Sequence, residues 1–157
     1  MTDDLNHWTA YGDEVQLEST WTSPRDHCLH PERWHATDSD STEIEVTALV
    51  AAFVTALRPD FVLETGTNIG LTAYAIGRAL HDQGYGRLVT IETDPNFVAI
   101  AEHRCIGLPV EVINGSSLDY HPPGMEPIDF AFFDSLVQIR AAEFERFWPN
   151  MPISLST

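Results

Sequence analysis

Phe61-Val62-Leu63-Glu64-Thr65-Gly66-Thr67-Asn68-Ile69-Gly70 is an apolar run that ends on a carboxylate and then turns through Gly-x-x-x-Gly. Leu71-Thr72-Ala73-Tyr74-Ala75-Ile76-Gly77 follows and suits the start of a helix. A strand that turns sharply into a helix creates a ligand crevice at the strand's carboxyl end. The glycines let the backbone come close to whatever binds there. A phosphate cradle would avoid a negative charge just before the first glycine, because bare amides and a helix N-terminus already draw the anion. Glu64 points instead to a ligand with positive or hydrogen-donating groups.

The pattern repeats outward from this turn. A helix over about 70–82 stops near Gly84 and Gly86, and Arg87 to Glu92 reads as a second strand. Asp94-Pro95 starts another helix with proline in its first turn. Val110 to Ile113 is a third strand, and residues 114–127 form a loop with Pro122, Pro123 and Gly124. The fourth strand is Ile128 to Phe133, whose nearly continuous apolar run predicts burial on both faces. A last helix over about 136–148 places Val137, Arg140, Phe144, Phe147 and Trp148 near one side. On the N-terminal side, Ser39-Asp40-Ser41-Thr42-Glu43 has the character of a capping box. The apolar stretch Val46–Leu57 behind it is too short to span a bilayer and predicts a buried helix with a stripe of Ile44, Leu49, Ala52, Phe53, Ala56 and Leu57. Strands alternating with helices of this length imply an α/β fold: a parallel sheet with right-handed crossovers and helices on both faces. Residues 1–40 show no clear periodicity and read as an arm or lid ahead of a domain over 41–157.

At 157 residues there is enough chain for one domain with a real core. The formal net charge is −16, and all eight basic residues are arginine. The first 60 residues alone hold twelve acids and three arginines. That balance disfavours nucleic acid or an anionic membrane as partner. Cys28 and Cys105 lie far apart and form no CxxC, and the acidic start is unlike a signal peptide, so a reducing cytoplasm is the expected setting.

All four strands finish near a polar or acidic residue: Glu64, Glu92, Asn114 to Ser117, and Asp134. In a parallel sheet these ends share one edge. Glu92 lies 22 residues beyond Gly70, where an acid can take both hydroxyls of a ribose. A dinucleotide fingerprint needs a middle glycine where Asn68 stands, and a P-loop needs a lysine that the chain lacks.

These segments together resemble the class I S-adenosylmethionine-dependent methyltransferases. Leu63 to Gly70 with Leu71-Thr72 is similar to their first motif, and Val89-Thr90-Ile91-Glu92-Thr93-Asp94-Pro95 to their second. Gly115-Ser116-Ser117-Leu118-Asp119 resembles the adenine-side loop, and Asp129 to Asp134 the fourth strand with its terminal acid. Order and spacing resemble the catechol O-methyltransferase-like branch of small-molecule enzymes, over about residues 41–148. The resemblance implies a Rossmann-like strand order 3-2-1-4. It also implies S-adenosylmethionine as cofactor and O-methylation of a small molecule. Gly66 and Gly70, with Thr67 between them, would pass under the methionine part. Glu64, Asn68 and Thr72 would serve its ammonium and carboxylate, with Thr42 reaching in from the first helix. Glu92 and Thr93 would lie at the ribose, and Ser116 and Ser117 would border the adenine. Asp134, the candidate catalytic residue, would sit near the sulfonium and the acceptor.

The resemblance also has gaps. Strands five to seven of the family's sheet have no counterpart. A divalent metal beside Asp134 would lack its second group of ligands, and the branch's catalytic lysine is absent, since Ser135, Leu136 and Val137 follow Asp134. The Asn/Asp-Pro-Pro-aromatic motif of amino-methylating DNA enzymes is missing there too. The fourth strand would be an apolar edge, to be covered by the tail 151–157 or by a second copy of the chain. A non-catalytic module that binds the cofactor, or acts through association, is the alternative reading. His27, Cys28, His30 and His35 match no standard zinc spacing and read as surface or packing residues.

Overall fold

The computed structural model describes residues 21–22, 30–37, 40–123 and 126–151. In chain order its elements are β1 (Trp21–Thr22), β2 (His35–Ala36), α1 (Ile44–Leu57), β3 (Phe61–Thr65), α2 (Leu71–Gln83), β4 (Arg87–Glu92), α3 (Pro95–Arg104), β5 (Val110–Asn114), β6 (Phe130–Phe133) and α4 (Val137–Phe147). The four strands expected from the sequence are β3 to β6. They form one parallel sheet in the order β5-β4-β3-β6. This is the 3-2-1-4 order of a Rossmann-like half-sheet. The short pair β1 and β2 is a separate antiparallel ribbon whose second strand meets α1, within a segment that shows no clear periodicity.

Period-two alternation splits the sheet into two cores. Val62 and Leu88 face Val50 and Val54 of α1 and Ile76 and Leu80 of α2. Phe61, Leu63, Val89 and Ile91 face the other way, onto Ile128 and Phe147. Each fully buried side chain of this size contributes about 1.5–3 kcal/mol. Central β3 is buried at every position because it has a strand on each side and helices on both faces.

Three expectations are corrected. The α1 helix buries Val50, Ala51 and Val54, while Leu49, Phe53 and Leu57 of the expected stripe are exposed. Its residues are apolar nearly all round, so periodicity could not choose the face. No capping box forms, because the N-cap is Glu43 and the Thr42 hydroxyl donates to Asp134 instead. In α4 the buried residues are Glu143 and Phe147, whereas Val137, Phe144 and Trp148 are exposed. The β6 strand is half-buried along its length because β3 is its only neighbour among the described residues. Asn150 returns to accept from the Ile128 amide just ahead of it (2.9 Å). The tail expected to cover this edge lies outside the described residues beyond Met151.

Candidate functional site

The β3–α2 turn is built by close approaches. Gly66 has φ of +82°, and a Cβ there would stand 2.5 Å from the Asp134 carbonyl oxygen. The turn therefore lies directly against the end of β6. Gly70, at φ of +80°, is packed onto Ala101 of α3, where a Cβ would meet the Ala101 Cβ at 2.8 Å. Asn68 between them takes a left-handed φ of +49°, which asparagine tolerates better than most residues. Its own side-chain oxygen accepts from the Ile69 amide (2.6 Å), and its side-chain amide reaches the Asp40 carbonyl (3.2 Å). Arg104 of α3 donates to the Ile69 carbonyl.

Glu92 holds this turn from β4. One carboxylate oxygen accepts from the Asn68 amide (2.8 Å), the other from the Thr93 and Asp94 amides (2.8 and 2.9 Å). The second oxygen also accepts from the Thr93 hydroxyl (3.3 Å), so the remaining acceptor capacity lies on the oxygen that holds Asn68, which has that one donor.

Glu64 lies beneath the floor rather than on it. Its side chain has 1 % exposure and accepts from the Thr90 hydroxyl at 2.5 Å, and Thr90 shares a 2.5 Å bond with Thr67. Burial pushes its carboxyl up to about 8, against the Thr90 hydrogen bond, and the nearby charge of Asp134 adds to the rise. Thr67 and Thr72 are also buried, and Thr72 pairs with Thr47 of α1 at 3.1 Å. These groups shape the turn from behind.

Asp134 closes the other side of the crevice. Thr42 donates to one of its oxygens and Arg140 of α4 to the other (2.8 Å). Arg140 also donates to the Ser135 carbonyl (2.7 Å). Past β5, Ser116 accepts from the Leu118 amide (3.2 Å), and Ser117 donates to Glu143. Gly115 has no atom within 4 Å of where a Cβ would be, so this rim is open. The structure thus brings Asn68, Glu92, Thr93, Ser116 and Asp134 to one edge, with Glu64, Thr67, Thr72 and Ser117 supporting them. Thr90, Arg104, Arg140 and Glu143 were missed from the sequence. Each reads alone as an ordinary strand or helix-surface residue.

A divalent metal does not fit at Asp134. A guanidinium already sits on one carboxylate oxygen, and no group of three or more His, Cys, Asp or Glu among the described residues could hold an ion. His27 and Cys28 lie outside the described residues; His30 pairs with Glu32 (3.2 Å) and His35 with Glu45 (2.6 Å). A groove of about 530 Å³ runs between α1 and α2, walled by alanine methyls with Thr55, Tyr74 and the Arg78–Asp82 ion pair (3.1 Å). None of the polar residues that end the strands lines it. No described helix is long and apolar enough to cross a membrane.

Residues 63–151 match the family model described as a methyltransferase domain. This chain belongs to the methyltransferase domain family. The matched span starts inside β3 and ends just past α4, so it contains the glycine turn, Glu92, Ser116 and Asp134, with Thr42 ahead of it. Solved methyltransferases share the fold. The O-methyltransferase TomG from Streptomyces achromogenes, involved in tomaymycin synthesis and solved in complex with SAM, is 26% identical with a TM-score of 0.66, covering 73% of this chain and 54% of its own. The Bacillus cereus O-methyltransferase in complex with SAH is 25% identical with a TM-score of 0.64, covering 73% and 55%. A Geobacter sulfurreducens methyltransferase at 22% identity shares the fold with a TM-score of 0.60, covering 78% and 63%. The methyltransferase domain described here thus spans little more than half the length of these structures. No curated protein matches the chain.

Proposed function

We propose that the crevice at the carboxyl ends of β3 to β6 binds S-adenosylmethionine, and that the domain serves methyl transfer to a hydroxyl of a small molecule. The observation that carries this reading is Glu92. Its carboxylate is locked to the glycine turn through the Asn68 amide and keeps acceptor capacity at the crevice. One residue thereby ties the site for a ribose diol to the site for the amino-acid end. The TomG and Bacillus cereus structures, solved with SAM and SAH, support the same ligand.

Gly66, Asn68 and Gly70 would line the methionine part, Glu92 and Thr93 the ribose, and Ser116 and Ser117 the adenine. Glu64, buried and raised toward neutrality, would hold the turn from below rather than meet the ammonium. The bound cofactor supplies a methyl group on a cationic sulfur. The chain's own part is to orient it and exclude water, since such transfers are driven by positioning and electrostatics. Asp134 keeps a negative group at that wall while Thr42 and Arg140 fix its direction. Residues 1–40 are proposed to serve as an arm or lid, and the acidic chain to avoid nucleic acid and anionic membranes.

A second reading is a module that binds the cofactor without transferring the methyl group. Asp134 leans toward it, because Thr42 and Arg140 already take one acceptor site on each of its oxygens, about half of what a carboxylate offers. Calorimetric titration with S-adenosylmethionine, with Glu92→Ala as control, tests the shared premise. Binding by the wild type and a loss of about tenfold or more in the variant is expected. No heat from the wild type overturns both readings. A methyl-release assay over a panel of hydroxylated acceptors then separates them.

A further inference from the structure

The α4 helix carries a polar stripe on the face turned to the sheet. Arg140, Glu143 and Arg146 stand three residues apart and thus share one side of the helix. Each grips backbone or hydroxyl groups of the two loops that bound the crevice. Arg140 donates to the Ser135 carbonyl at 2.7 Å. Arg146 donates to the Tyr120 carbonyl at 3.0 and 2.8 Å. Glu143 stands between them with no exposed surface. One of its oxygens accepts from the Ser117 hydroxyl, on the loop after β5, and the other from the Ser135 hydroxyl (2.6 Å), on the turn after β6.

A carboxylate buried this way is a poor device for stability. Desolvating it is costly, and an apolar side chain of similar volume often serves a core better. What the carboxylate gives instead is a fixed distance between two loops from different strands. It also sets their polarity. Each serine proton is committed to Glu143, so each serine oxygen has only acceptor capacity left.

We propose that Glu143 is a positioning residue for the ligand crevice. It braces the Ser117 loop against the Ser135 turn and fixes the width of the opening. The proposal rests on the reading that this crevice binds S-adenosylmethionine. It goes further by making cofactor affinity depend on a residue on the far side of the crevice wall.

The test is a double-mutant cycle read as affinity, not stability. Wild type, Glu143→Gln, Ser117→Ala and the double variant are titrated calorimetrically with S-adenosylhomocysteine, well below each melting temperature. Glu145→Gln, an exposed acid on the same helix, is the control. Glutamine keeps the volume and one acceptor but cannot accept from both serines. The expected result is a loss of about tenfold in each single variant. The double variant should lose no more than the worse single one, and the control should bind as wild type does. Wild-type affinity in Glu143→Gln, or losses that multiply in the double variant, overturns the proposal. So does a lowered melting temperature with unchanged affinity, which is the mark of a merely structural role. No binding by the wild type overturns the cofactor reading and this proposal with it, and that outcome is distinct from the others.

Discussion

Glu64 and Gly66 are two positions apart, and each occupies a setting that few residues tolerate. The Glu64 carboxyl, ordinarily near 4.5, is pushed up to about 8 by burial. As pH rises from about 4.5 to about 8, the unfolded chain loses this proton while the folded chain keeps it. Stability therefore falls across that window, by something on the order of a few kcal/mol, and falls no further above it. Glu64→Gln removes that dependence. Urea unfolding at pH 5 and pH 8 should show a larger loss for the wild type than for the variant. Equal losses would mean that Glu64 is ionised in the folded protein. Gly66 gives a second prediction. An alanine there meets the Asp134 carbonyl, whereas at Gly84, with φ of +85°, the added Cβ meets nothing within 4 Å. Gly84→Ala should cost about 1–2 kcal/mol of backbone strain. Gly66→Ala adds a collision with backbone and should cost clearly more, with cofactor binding lost as well. Equal melting temperatures for the two variants would show that the close approach to β6 does not hold.

At the level of elements, β3 and β4 begin and end where the sequence places them. Apolar runs bounded by Asp60 and Glu64, or by Gly86 and Glu92, leave little room for another register. The two helices that frame the sheet were harder. The α1 helix offers apolar residues on all sides, and only its contact with α2 decides which are buried. In α4 the decisive residue is a buried acid, and a glutamate flanked by Phe144 and Glu145 gives no sign of burial. Its partners, Ser117 and Ser135, are brought to it only by the crossover between β5 and β6. Among the described residues β3 is the one strand beside β6, with exposed Leu136 and Val137 after it and the Phe53 ring tilted against Phe130 at 6.3 Å between centroids. Copies of the chain meeting along this edge would give a concentration-dependent mass in light scattering and slow amide exchange over 130–133. A mass that stays monomeric, with exchange faster there than in β3, would contradict association by this route.

For the molecule as a whole, the row of polar groups at one sheet edge was legible because it follows from alternation, glycine spacing and terminal acids, while the strand order came from the resemblance to class I methyltransferases. Which acids face a ligand was not legible. Glu64 pairs with Thr90 across the sheet, two residues short of Glu92, so one acid is sealed beneath Thr90 and the other is tied to amides at the rim. The distinction depends on register: Glu92 is the last residue of β4, whereas Glu64 is followed by Thr65 within β3, and that offset between the strands is set by their pairing. The central claim is therefore one of place: a single crevice across β3, β4, β5 and β6 takes the cofactor. At 17.6 kDa the protein suits amide-resolved NMR. Titration with S-adenosylhomocysteine should shift the amides of residues 66–70, 92–94, 115–118 and 134–135 and leave Ala51, Thr55 and Tyr74 along the α1–α2 groove unmoved. Shifts confined to that groove, or none at saturating ligand, would contradict the account.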